Sequence, residues 1–428
     1  MAEKGEGVAL LVVVGLAALL LWALCERGLD RIRLIGPFVL VASGVVVGLF
    51  AADDFNNRLD TGHAEKIVEL ILALLLFVDA TEVRGGPFGG EAGVLSRLLF
   101  LALPLSLIVV FVAGALLLPG LSGPVLVLLA CIVVPTDFAA APILRHAAIP
   151  ARLRHILNVE SGYNDGIVSP IFVFAVSLVG KRAGMDGLDA LLDGLWAFLF
   201  AAASGVVAGG GAGFVLRATR RFGIASARSG RFAMVLIPLL AYVAANQVQA
   251  NGFVAAFVAG IVYRVVRGGS RHADLDPAET AFADDVGQLV AMAMWFGFGA
   301  VAVLVFSNGV RPALIVFGVL AVLVLRPAPV VLCLLRSTLA WRERLVVGLL
   351  GPRGTASIVF GFLAFNALPP DRDLPPLYAM TVVVLLSIVL YGVVAPPLAA
   401  RMLRAGRGGP TPAGNRARSG PPAGRGGG

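Results

Sequence analysis

Three carboxylates fall where a chain of this kind has least room for them. Asp137, Glu160 and Asp165 lie inside two neighbouring apolar runs, VLVLLACIVVPTDFAAAP and ILNVESGYNDGIVSPIFVFAVSLV, which the basic hairpin LRHAAIPARLRH joins. Each run is long enough to cross a hydrocarbon core of roughly 30 Å as a helix. An ionisable residue at the centre of a bilayer costs about 2.5–3.5 kcal/mol on insertion scales. Three of them in adjacent spans are too costly to be filler. They mark an ion or proton pathway, and the rest of the chain reads as its housing.

The housing is a membrane protein. Of 428 residues 58% are hydrophobic and only 14% charged, against about 25% charged in a soluble domain. About 13 apolar stretches of span length follow one another, near 8–25, 34–51, 67–80, 97–118, 124–142, 156–179, 189–216, 232–246, 250–266, 283–306, 312–335, 345–367 and 376–400. The third is short, and only NQVQAN separates the eighth from the ninth. The first has no positive leader and no small-residue cleavage site, so it is expected to be retained. Cys25, Cys131 and Cys333 form no disulfide-like or metal-like pattern, and the four histidines are scattered. Of the 34 Lys and Arg residues, 25 fall in one set of alternate loops together with the tail, and 7 fall in the other set. The positive-inside rule then puts the N-terminus outside and the C-terminus in the cytoplasm. The expected division is a membrane domain over 1–405 and a Gly/Pro/Arg-rich, disordered cytoplasmic tail over 406–428. The tail arginines are placed to meet anionic lipid. Membrane lipid is thus an expected partner, and nucleic acid is not, because the basic residues form no single patch.

The two central spans carry the chemistry. Pro135 and Pro142 remove backbone donors on either side of Thr136 and Asp137, so the fifth span reads as a broken helix whose freed carbonyls face a cavity. A proline alone more often means a kink; a carboxylate inside the break favours a cation site. In the sixth span Ser161 and Asp165 stand four residues apart on one helical face, with Glu160 and Asn164 on an adjacent one. Asp165 and Ser161 are the candidate cation ligands. Asn164 fits a bracing role between helices. A buried Glu160 needs a positive partner, and Arg326 and Arg353 are both available at membrane depth. GPRG breaks the twelfth span as Pro135 breaks the fifth, seven spans apart. Such paired interruptions indicate inverted repeats with two crossing interrupted helices.

PTDFAAAP resembles the TDPVA element of sodium/proton exchangers of the monovalent cation:proton antiporter superfamily, in the NhaP/NHE branch. ESGYND is similar to its ESLLND, GPRGTASIVFGFL to its GxRGAxSL stretch, NGFVAAFVAGIV to its SGFLAVFVAGL and LLLFVDATEV to its LLFFEGGL. The five occur in the family order across most of residues 33–400. Phe138 replaces a proline, Gly162 and Tyr163 replace a Leu pair, and Asp79 stands where a Glu is usual.

The resemblance implies an all-α polytopic NhaA-like antiporter fold and exchange of a monovalent cation, Na⁺ before Li⁺ or K⁺, for H⁺ by alternating access. Asp165 would take cation or proton in turn. Ser161, Asp79 and the Thr136 backbone would complete the oxygen shell, with Asp137 nearby. Asn164 would hold the unwound segment, and Glu160 would pair with Arg326 or Arg353. A homodimer in the cell membrane serving pH homeostasis is implied, as is electroneutral exchange, from Asn164 standing before the key Asp. No cofactor is expected beyond the transported ions. The alternatives in view are a cation channel, a K⁺/H⁺ efflux protein of the same superfamily, and an intramembrane enzyme. The last is disfavoured because its GxSxG-like strings lack a His partner and no HExxH occurs.

Overall fold

The computed structural model describes residues 3–31, 36–59, 62–82, 90–137, 149–180, 187–268, 275, 277–369 and 374–391. Phe138, Pro142, the first five residues of the basic hairpin (144–148), the loop residues Arg33, Arg84, Arg145, Arg271 and Arg372, and the tail over 406–428 lie outside these residues. Among the described residues every regular element is helical. A bilayer offers a backbone no hydrogen bonds, so a spanning segment must satisfy its own, and a helix does.

The helices are α1 (Glu3–Arg31), α2 (Gly36–Leu59), α3 (Gly62–Glu82), α4 (Ala92–Arg97), α5 (Leu103–Leu117), α6 (Gly123–Val133), α7 (Ala151–Gly180) and α8 (Gly187–Arg221). They continue with α9 (Ala227–Gln247), α10 (Gly252–Gly268), α11 (Pro277–Ser307), α12 (Pro312–Leu320), α13 (Pro327–Cys333), α14 (Trp341–Leu349), α15 (Thr355–Ala367) and α16 (Leu374–Val389). Six stretches among the described residues are long and apolar enough to cross a membrane: Ala92–Leu117, Ala151–Val179, Leu192–Arg221, Ala227–Gln247, Pro277–Ser307 and Pro312–Cys333. The chain is a multi-pass membrane protein. The short third apolar run lies on a 21-residue helix, because α3 continues into its polar flanks. NQVQAN does separate two helices. Gln249 takes a left-handed φ of 55° at the turn, and the Asn251 side chain accepts the Phe253 and Val254 amides at 3.0 and 3.2 Å to start α10.

The helices form two groups. In one, α1 and α2 pack with α11, α8 packs with α10 and α9, and α3 lies on α10. Small residues make these contacts close, as membrane helices require when lipid is as apolar as leucine. A methyl group added to Gly44 of α2 would fall 3.0 Å from the Gly299 Cα of α11, and one added to Gly205 of α8 would fall 2.5 Å from the Ala255 carbonyl of α10. Glu279, buried at the start of α11, ties the same group together. It meets Arg267 at 2.7 Å and Arg220 at 3.0 Å and accepts the Tyr263 hydroxyl at 2.5 Å. The second group contains α4–α7 and α12–α16. One end of it is laced by Arg152, which donates to both Glu91 oxygens at 2.6 and 2.9 Å and to the Thr338 hydroxyl at 2.8 Å. The Arg152 hydrogen bonds hold the Glu91 carboxyl below its ordinary range. α3 stands between the groups, touching α7 and α15 on one side and α9, α10 and α11 on the other.

The second group repeats one pattern. α4 runs through a π turn, Leu98–Ala102, into α5, and α12 runs through another, Ala321–Leu325, into α13. A proline follows each turn within two residues, at Pro104 and Pro327. Proline lacks an N–H and crowds the carbonyl four residues back, and a widened turn relieves both problems. Each π-turned helix is then followed by a broken one. α6 has 11 residues, about 16 Å at 1.5 Å per residue. α14 has 9 and α15 has 13, about 14 and 20 Å. None of the three covers a core of about 30 Å, so each ends inside it.

Candidate functional site

A helix that stops inside a membrane leaves carbonyls and amides without partners, and these ends build the site. After α6 the chain is non-helical through Pro135, Thr136 and Asp137; after α14 it is non-helical through Gly351–Gly354. The two segments cross, and the Asp137 amide donates to the Pro352 carbonyl at 2.7 Å. Asp137 Oδ2 accepts the Thr355 amide at 2.9 Å and its hydroxyl at 2.6 Å. A carboxylate here sits on the positive end of α15, where a helix N-terminus favours it. Asp137 was expected near the cation shell; its Oδ2 caps the second broken helix. Thr355 is a partner that sequence reading missed, although GPRGT places a hydroxyl directly after the break.

The negative ends are met by the two buried arginines. Arg353 donates through Nε to the Val133 carbonyl at 2.8 Å, through Nη1 to Gly351 at 2.6 Å and through Nη2 to Ala321 at 3.2 Å. Its amide donates to the Ser387 hydroxyl at 3.1 Å. Arg326 donates through Nη1 to the Gly348 carbonyl at 3.1 Å and through Nη2 to Glu160 Oε1 at 3.0 Å. Of the two arginines left open by the sequence, Arg326 is therefore the ion-pair partner of Glu160, and Arg353 serves backbone carbonyls. The Arg326 amide and Arg353 Nη2 both reach Ala321 O, which ties the π turn to the break.

Thr136 is the centre of the arrangement. Its carbonyl accepts Ser161 Oγ at 2.8 Å and Asn164 Nδ2 at 3.2 Å, and its hydroxyl accepts Asn164 Nδ2 at 2.8 Å and donates to Glu160 Oε2 at 3.2 Å. Asn164, Ser161 and Glu160 thus pin the unwound segment to α7. One turn beyond Ser161, Asp165 is 5% exposed, and its Oδ1 is buried without a hydrogen-bond partner. Asn164 Oδ1 is likewise buried and without one. Asp79, on α3, approaches from the other helix group. Asp79, Asp137 and Glu160 lie within electrostatic range of Asp165. Among the described residues no group of three His, Cys, Asp or Glu side chains forms a metal cage, so a cation here would rest on mixed carboxylate, hydroxyl and carbonyl oxygens.

A family profile described as "Sodium/hydrogen exchanger, transmembrane" matches residues 15–401. The chain belongs to that family. A Na(+)/H(+) antiporter of Schizosaccharomyces pombe is 30% identical over 249 residues, covering 55% of this chain and 51% of that one. The K(+)/H(+) antiporter NhaP of Alkalimonas amylolytica is 25% identical over 384 residues, 86% of this chain and 62% of that one. The exchanger-family chain thus spans about half to three-fifths of the length of these two relatives. The sodium proton antiporter MjNhaP1 of Methanocaldococcus jannaschii shares the fold, with a TM-score of 0.72, 19% identity, and coverage of 93% of this chain and 99% of that one. The chain therefore has the fold of that structure.

Proposed function

We propose that this chain exchanges a monovalent cation for protons through Asp165. The observation that carries the reading is the buried, unpartnered Asp165 Oδ1 beside a broken helix. A carboxylate oxygen removed from water without a hydrogen bond is stable only when neutralised. A proton does that, and so does a cation, but not both together. That exclusion is what couples two fluxes. Oxygen ligands suit a hard cation: the Asp165 carboxylate, Ser161 Oγ, the Thr136 carbonyl and the Asp79 carboxylate. In the arrangement described, the Thr136 carbonyl already accepts two hydrogen bonds. Cation entry on this reading turns the Ser161 hydroxyl, so that its oxygen and the carbonyl both face the ion.

Na⁺ is the first candidate, and Li⁺ and K⁺ follow. The two relatives carry names that differ in cation, so family membership alone does not choose. One carboxylate shared by one cation and one proton gives electroneutral exchange, with Asn164 holding the strand rather than titrating. The placement of α3 between the helix groups supports alternating access, because Asp79 and Asp165 would separate when the groups move. The loop charges support a cell-membrane orientation with the N-terminus outside, and a homodimer completes the reading.

The test is proton flux in proteoliposomes. Addition of Na⁺, Li⁺ or K⁺ is expected to dissipate a preset pH gradient, at a rate that saturates with cation as a carrier does. If none of the three does so anywhere between about pH 6 and 9, a range centred on a working carboxylate, the proposal fails. Flux that never saturates would indicate a channel.

A further inference from the structure

The site takes Asp165, Ser161 and Thr136 from one helix group and Asp79 from α3, so something must fix the distance between them. The segment of α3 that carries Asp79 lies between two glycines. A methyl group on Gly260 of α10 would fall 2.7 Å from the Phe77 carbonyl and 2.9 Å from Ala80 Cβ. On the opposite side a methyl group on Gly162 of α7 would fall 3.2 Å from the Asp79 carbonyl and 3.5 Å from its Cβ. Gly162 stands next to Ser161 and three residues before Asp165. The absence of a side chain there lets the α3 backbone lie directly against the ligand-bearing turn of α7. Aspartate has a single methylene, so its carboxylate enters the shell only if its backbone lies that close.

We propose that Gly162 is a specificity-determining position. It sets the gap between Asp79 and Asp165 and thereby the size of cation that both carboxylates can contact. This rests on the antiport reading above. Selectivity among alkali cations depends on cavity size and on the number of oxygens that reach the ion. A shell held narrow by Gly162 favours Na⁺ and Li⁺, and a widened one favours K⁺.

The experiment is a selectivity series in proteoliposomes. At Gly162 the clash is with backbone, so Gly162→Ala moves α3 outward by only a few tenths of an ångström. It is expected to raise the half-saturating Na⁺ and Li⁺ concentrations about tenfold while K⁺ changes less than about threefold. Adding Asp79→Glu lengthens the arm by one C–C bond, about 1.5 Å, and is expected to recover most of the Na⁺ shift. Gly211→Ala, which meets nothing within 4 Å, should match wild type. The inference is overturned if Gly162→Ala shifts all three cations alike, shifts none, or is not rescued by Asp79→Glu. Should Gly162→Ala fail to fold, Asp79→Glu alone decides, since an overlong arm in an unwidened gap narrows the shell further and must weaken K⁺ more than Na⁺. Failure of the antiport reading is separate, because the wild type would then show no cation-driven proton flux.

Discussion

Asp165→Asn is expected to abolish exchange of every cation and leave the fold intact. Asparagine matches aspartate in size and keeps its hydrogen-bonding capacity, but it neither releases a proton nor carries the charge that attracts a cation. General acid–base groups of this kind typically contribute about 10²–10⁴-fold, and here the group is also the cargo ligand, so flux should fall to the protein-free background. Stability should not fall with it. Asp165 Oδ1 has no hydrogen bond to lose, and neutralising a carboxylate buried among other carboxylates removes repulsion. The checks are vesicle flux beside a detergent melting curve. A variant that transports normally would remove Asp165 from the mechanism.

The second large effect is on stability. Glu160→Gln leaves Arg326, 2% exposed, without its counter-charge. Breaking a buried pair from one side costs about 3–5 kcal/mol, because the remaining charge is uncompensated. The melting temperature should drop by about 10 °C on the scaling of roughly 2–4 °C per kcal/mol for chains of moderate size. Arg326→Met on the same background should recover part of the loss. Arg353→Met should not, since Arg353 donates to the Val133, Gly351 and Ala321 carbonyls rather than to Glu160. Equal rescue by both arginine substitutions, or a Glu160→Gln protein that melts like wild type, would contradict the pairing seen at 3.0 Å.

Much of the site was legible in the chain because membranes make polar residues conspicuous. Asp137, Glu160 and Asp165 stood out against apolar runs, and Pro135 and GPRG announced the breaks. What could not be read was direction. Arg326 and Arg353 occupy equally apolar contexts, and only the crossing of the two unwound segments turns one toward Glu160 and the other toward carbonyls. The capping role of Asp137 was not legible, because it depends on α15 starting beside it, 218 residues away in sequence. The π turns were signalled by LLFLALP and AVLVLRP, yet a proline in a membrane helix is usually taken as a simple kink. The Glu279 cluster was hidden for a different reason. Its partners Arg220 and Arg267 lie in the last turns of α8 and α10, beside basic loops, where loop charge alone accounts for them.

The central claim is that one carboxylate holds either the cation or the proton. The most direct measurement is the half-saturating Na⁺ concentration in proteoliposomes as a function of pH, taken with the maximal rate. Competition at one group predicts that, on the acid side of its titration, half-saturation rises about tenfold for each unit of pH lost, while the rate at saturating Na⁺ is unchanged. A half-saturating concentration that stays constant across that range would mean that cation and proton occupy separate groups, and the shared-carboxylate mechanism would be wrong.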